Sequence, residues 1–183
     1  MTDDSWENQN PFGKPLNKLV EEDLKKMESD PLNFESLLIE YKLMYNGDPS
    51  ELRKDILQFA NGTETGYLVY GVLDDPIQVV GIEKSEVDPL KTTLNEVLQN
   101  RIDPNLNPFP SYYVVPLSNG KYVFIIEIHP KPRGIYGLRQ NDNSSNRGYY
   151  RYEFLKRMDG SKHLMNIQEV VELIEKKALD SKD

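Results

Sequence analysis

Residues 67–82 read YLVYGVLDDPIQVVGI, and the way this stretch is divided decides the fold. Tyr67 to Val72 is a continuous apolar run of strand length, and Asp74-Asp75-Pro76 supplies turn chemistry directly after it. Ile77 to Ile82 then resumes at strand length, which predicts an antiparallel hairpin and not a strand leading into a crossover helix. The same pattern recurs at Tyr112–Leu117 and Tyr122–Ile128 around Ser118-Asn119-Gly120. Working outward, Leu16, Leu19, Val20, Leu24 and Met27 recur at helical spacing and predict an amphipathic helix over 15–28 that serves as a lid or brace. Leu37 to Leu43 reads as a strand, and Pro49-Ser50 opens a helix that runs to about Ala60. Val87, Leu90, Leu94, Val97, Leu98 and Ile102 mark a third helix, and residues 166–179 a last one. Between them lies a basic loop over 130–148, with Gly134, Gly137, Gly148 and the polar run NDNSSN, and a short strand at Tyr149–Tyr152. Hairpins interspersed with helices predict an α+β fold: a mixed, largely antiparallel sheet built from hairpins with flanking helices. The expected organisation is an acidic tail and helix over 1–30, one domain over 31–179 and a short tail at 180–183.

The chain has 183 residues, no cysteine and two histidines, His129 and His163. Disulfides and thiolate zinc sites are therefore excluded, and any metal must be held by oxygen ligands. No stretch approaches the roughly 20 apolar residues that cross a bilayer, and the start of the chain is acidic where a secretory signal is basic and then apolar. These features predict a soluble, cytoplasmic protein without membrane attachment. A net charge of −8 argues against indiscriminate nucleic-acid binding. The distribution qualifies this, because residues 121–163 hold nine basic side chains against four acidic ones. Tyr136, Tyr149, Tyr150, Tyr152 and Phe154 are interleaved with those cations, a composition suited to phosphate contacts and base stacking. It equally suits a solvated strand-and-loop region whose tyrosines pack inward.

A second stretch, ESLLIEYK over Glu35–Lys42, places charges in what reads as a strand. Glu35 and Glu40 are five apart, so no regular element brings both carboxylates to one face. Glu40 and Lys42 are two apart and share a strand face. There a carboxylate can hold a divalent cation while the ammonium stabilises charge on a phosphate, or the two can form a plain ion pair.

Taken together, ESLLIEYK, FANGTETGYLVYGVLDD, VVGIE and GYYRYE resemble the Schlafen AlbA-type (AlbA_2) domain. In that family a glutamate pair ending in E-F-K is followed by F-A-N-T-x-G-G, an apolar strand ending in G-V-x-D, and a late tyrosine-arginine strand. The order and spacing agree over about residues 32–175. The resemblance implies nucleic-acid binding and, as in some members, a divalent-metal endoribonuclease acting on structured RNA such as transfer RNA. By motif its carboxylates fall on Glu35, Glu40 and Asp74, which would hold Mg²⁺ or Mn²⁺, with Lys42 beside them. Asp74 is preferred over Asp75 because Gly71-Val72-x-Asp fits without a gap. The family glycine pair stands here as Thr65-Gly66, with one residue inserted, so the loop after Asn61 has a different shape and its backbone is a weaker phosphate cradle than the family's.

The arginine-tyrosine segment supplies the expected nucleic-acid contacts: Arg133, Arg139, Arg147, Tyr149, Tyr150 and Arg151. Three carboxylates without a cation would repel one another, whereas a hard divalent ion would neutralise them and activate a water beside a phosphodiester. Two other readings stand beside the nuclease: a non-catalytic DNA- or RNA-binding regulatory module, and a protein-interaction domain using the acidic N-terminal region. By analogy with paired Schlafen domains, a homodimer would complete an RNA cleft. Asn61 reads as a cap or turn residue, and His129 as a satisfied or exposed imidazole.

Overall fold

The computed structural model describes residues 10–29, 38–141 and 150–180. Along the chain run α1 (Glu21–Ser29), β1 (Ile39–Lys42), α2 (Pro49–Ala60), β2 (Gly66–Tyr70), β3 (Val72–Leu73), β4 (Gln78–Val79) and α3 (Lys84–Gln99). They are followed by β5 (Ile102–Asp103), β6 (Ser111–Pro116), β7 (Tyr122–Ile128), β8 (Gly137–Asn141), β9 (Tyr150–Glu153), β10 (Leu155–Met158), β11 (Ser161–Leu164) and α4 (Ile167–Asp180). Helices with mixed and antiparallel sheets make this an α+β fold, as the hairpin pattern predicts. Among the described residues no helix is long and apolar enough to cross a membrane. The chain divides into two compact units, one of residues 1–46, 67–90 and 111–127 and the other of 47–66, 91–110 and 128–183.

The first unit is built on a four-stranded sheet in the order β1-β2-β7-β6. β1 and β2 are parallel, whereas β6 and β7 form the predicted antiparallel hairpin. Alternation along β7 sends Val123 and Ile125 to one face and Phe124 and Ile126 to the other, and all four are fully buried. A strand covered on both faces has to read as a continuous apolar run, as Tyr122–Ile126 does before Glu127 interrupts it. Val123 and Ile125 join Ile39, Tyr67, Val69 and Val115 in one core cluster, which Leu24 and Met27 of α1 complete. The first helix is therefore a brace, but a shorter one than 15–28: a 3-10 turn at Leu16–Lys18 precedes it and α1 starts only at Glu21. Asp23 sets that start by accepting the Val20 N–H at 3.0 Å, half of a capping box, while pairing with Lys14 and Lys26. Burial pushes the Asp23 carboxyl up, but these partners outweigh it and bring its pKa down to about 2.

The predicted hairpin of 67–72 with 77–82 needs correction. Gly71 has φ +94°, and a Cβ there would lie 2.9 Å from Gly81 Cα and 3.0 Å from the Tyr122 carbonyl oxygen. That close approach ends β2 at Tyr70, so β2 pairs with β1 and β7, and only Val72–Leu73 and Gln78–Val79 pair antiparallel with each other.

In the second unit, α2 begins where the sequence predicts: Asp48 accepts the Ser50 N–H at 2.8 Å and Pro49 occupies the first turn. Its apolar face of Leu52, Ile56, Leu57 and Phe59 is buried, and the helix packs against β8, β10 and β11. β5, β8 and β9 form an antiparallel sheet in the order β5-β8-β9, and β10 with β11 a hairpin. β8 falls inside the segment read as a basic loop, a second difference from the sequence pattern. The β10–β11 turn has Asp159 at φ 48° and Gly160 at φ 75°, the left-handed pair that a two-residue hairpin turn demands.

Candidate nucleic-acid interface and carboxylate site

Among the proposed catalytic residues, Glu40 and Lys42 lie on β1, in register with Leu68 and Tyr70 of β2. The strand period puts both on the sheet face opposite the α1 core, next to two fully buried side chains. They form an ion pair at 2.8 Å, with 18 % of the Glu40 and 27 % of the Lys42 side chain exposed. Asp74 is exposed in the turn between β3 and β4. β1 and β3 are neighbours, and the Gly71 N–H donates to the Lys42 carbonyl at 2.8 Å. Glu35 lies outside the described residues. Among those described, no three Asp, Glu, His or Cys side chains gather as a metal group. Glu40 and Asp74 each carry carboxylate oxygens, and an ammonium already contacts one Glu40 oxygen.

Of the six expected nucleic-acid contacts, Arg139, Tyr150 and Arg151 map to the second unit's sheet. Arg139 of β8 stands opposite Tyr152 of β9, and Arg151 opposite Gln140, so the two arginines face opposite sides. Arg151 is 72 % exposed and pairs with Glu153 at 2.6 Å. Arg133 is exposed in the loop before β8. Tyr150 occupies β9 opposite Asn141, and Arg147 and Tyr149 lie outside the described residues. Tyr152, half-exposed, donates its hydroxyl to Asp103 at 2.7 Å and stacks its ring on Phe154 at 6.3 Å.

Much of the positive charge counted over 121–163 is compensated by the fold. Lys121 pairs with Glu83 at 3.1 Å, Lys156 with Glu169 at 3.3 Å, and Lys162 with Glu51 at 2.7 Å and Asp55 at 2.8 Å. Burial opposes the Lys162 charge, but its two carboxylates outweigh that and hold its pKa above the ordinary lysine value. Arg157 rests over the Phe59 ring at 5.1 Å and donates to Gln58 at 3.2 Å. A segment's net charge overstates the surface field when the fold brings distant carboxylates to its lysines.

Two aromatic and polar positions are structural. Tyr136 is 1 % exposed, with its hydroxyl donating to the Asn107 carbonyl at 2.7 Å and accepting the Asn107 N–H at 2.9 Å, so it offers no stacking face. Asn61 does cap α2, and its fully buried side chain also ties three segments together. Nδ2 donates to the carbonyls of Tyr136 at 2.9 Å and Leu155 at 2.8 Å, and Oδ1 accepts the Tyr136 N–H at 2.7 Å. His129 is satisfied by Thr65 at 3.0 Å. What sequence reasoning missed is a pair of lysines on one cavity, Lys131 and Lys177; the apolar periodicity of α4 gives no hint that a lysine on it is buried.

A family model described as Schlafen, AlbA_2 matches residues 35–166. No curated protein matches the sequence. Among solved structures, the crystal structure of the DIP2311 protein from Corynebacterium diphtheriae is similar, with a TM-score of 0.53 and 15 % identity over 81 % of this chain. The matched region spans 30 % of that longer protein, so the likeness speaks for the fold alone.

Proposed function

The chain belongs to the Schlafen, AlbA_2 family, a membership that points to a nucleic-acid-related role, and from that premise we propose that it binds structured RNA such as transfer RNA and cleaves it as a divalent-metal-dependent endoribonuclease. The observation that carries this reading is the extent of the family match: residues 35–166 include Glu35, Glu40 and Asp74 together with the arginine strands β8 and β9. In this account Arg133, Arg139 and Arg151 contact phosphates, joined by Arg147, and Tyr149 and Tyr150 offer rings to unpaired bases. Glu35, Glu40 and Asp74 would hold Mg²⁺ or Mn²⁺, whose part is to activate a water and to neutralise phosphate charge. Lys42, 2.8 Å from Glu40, orients that carboxylate and stabilises negative charge developing on the phosphate.

The Glu40–Lys42 ion pair also favours a second reading, a module that binds nucleic acid without cutting it, because each member already satisfies the other. Incubation with total transfer RNA, with and without Mn²⁺ or Mg²⁺, separates the two. Metal-dependent fragments support the nuclease, and binding without fragments selects the module.

A further inference from the structure

A cavity of about 210 Å³ in the second unit is lined by Gly62, Thr63, Pro130, Lys131, Pro132, Lys177 and Asp180. Two of these residues carry ammonium groups. Lys177 of α4 is only 3 % exposed, and its Nζ donates to the Lys131 carbonyl at 3.0 Å. Lys131 is anchored by its N–H to the Ala60 carbonyl at 3.0 Å, and its Nζ lies 4.7 Å from the Tyr136 ring centroid and 3.4 Å from the Ile135 carbonyl oxygen. Among the described residues neither lysine has a carboxylate ion-pair partner; Asp180 lines the same cavity and pairs with neither. Burial, reinforced by the Lys131 charge, pushes the Lys177 pKa down to about 8.

Lysines are almost never fully buried unless paired, because desolvating the ammonium is costly. Two of them on one cavity, compensated only by the Lys131 and Ile135 carbonyls, the Tyr136 ring and the charge of Asp103 acting on Lys131, leave positive charge among the described residues that a bound anion would offset. Thr63 adds a hydroxyl at the same wall, an acceptor-donor group suited to an oxyanion.

We propose that the cavity between the loop at Gly62–Thr63, the loop at Pro130–Pro132 and the C-terminal turn of α4 is a phosphate-binding site, with Lys177 and Lys131 as the charged ligands and Thr63 as a hydroxyl donor. It uses none of the residues assigned to RNA contact or cleavage and does not rest on that assignment. The phosphate is either a free or terminal one, or a phosphodiester of a polynucleotide.

Thermal melting in inorganic phosphate against chloride at equal ionic strength, together with binding of a fluorescent single-stranded oligonucleotide, tests the site and its source. Phosphate should raise the melting temperature of the wild type in a saturable way. The rise should disappear in Lys177→Met, a shape-conserving change that removes the buried charge, and should grow in Asp180→Asn. If the phosphate comes from a polynucleotide, Lys177→Met also weakens oligonucleotide binding several-fold and inorganic phosphate competes with it; if it is free, oligonucleotide binding is unchanged while the melting effect remains. A wild type and an Asp180→Asn variant that melt identically in phosphate and chloride, with oligonucleotide affinity untouched by Lys177→Met, overturn the site. A wild type that shows the phosphate effect but no metal-dependent RNA cleavage counts against the nuclease reading alone.

Discussion

Replacing Asn61 with alanine should destabilise the protein by roughly 3–6 kcal/mol. The side chain is fully buried and makes three hydrogen bonds of 2.7 to 2.9 Å to backbone groups of Tyr136 and Leu155. Truncation leaves two carbonyls and one N–H without partners in a buried setting. Each unsatisfied group costs about 1–3 kcal/mol, and water entering the small void recovers part of that. In urea, where the dependence on denaturant is about 1–3 kcal/mol per molar, the midpoint should fall by about 2 M with its slope unchanged. Asn61→Asp is the sharper control. It keeps the acceptor for the Tyr136 N–H but turns a carboxylate toward two carbonyl oxygens, so it should be at least as damaging at pH 7 and recover in part when the carboxyl is protonated. A midpoint for Asn61→Ala within about 0.3 M of wild type, an effect under about 1 kcal/mol, refutes the argument; RNA affinity lost at unchanged stability would make Asn61 a contact residue.

Asp23 should govern part of the acid sensitivity. Its folded pKa of about 2 lies below the ordinary 3.8, so the stability it contributes is complete above about pH 4 and is lost as pH falls toward 2. Asp23→Asn should therefore melt below wild type at pH 7, the gap closing toward pH 2; a pH-independent gap would contradict this. For the RNA contacts, Arg139→Ala and Arg151→Ala should weaken binding across unrelated sequences, and each should make the log affinity against log salt slope shallower by about 0.7–0.9. Fluorescence anisotropy over a salt series reads both, and wild-type slopes in both variants would remove these arginines from the interface.

Where local chemistry dictates structure, the sequence was legible. Asp48-Pro49 marks the start of α2, and two strand-length apolar runs, 111–116 and 122–128, around Ser118-Asn119-Gly120 give the β6–β7 hairpin. The β10–β11 hairpin escaped because LKRM and SKHL carry no apolar alternation, although Asp159-Gly160 between them is a strong two-residue turn signal. The break at Gly71 is set by a backbone approach from Gly81 and from Tyr122, and Tyr122 lies beyond any local window. The site divides in the same way. The shared face of Glu40 and Lys42 follows from their spacing of two, and the pairing between them was one of two readings that spacing allows. The compensation of Lys156 and Lys162 by Glu169, Glu51 and Asp55 depends on tertiary packing, as does the burial of Tyr136.

Glu40→Gln tests the central claim most directly, because it keeps the shape of the side chain and removes the charge on which both the ion pair and a metal site depend. The measurement is transfer-RNA cleavage with and without Mn²⁺, with melting temperatures taken in the same buffers. The account predicts that wild type cuts only with metal and gains stability from Mn²⁺, while Glu40→Gln keeps its fold and RNA affinity, loses cleavage and no longer responds to Mn²⁺. A wild type that neither cuts transfer RNA nor gains stability from Mn²⁺, beside a Glu40→Gln variant that simply melts lower in every buffer because Lys42 has lost its partner, would contradict it.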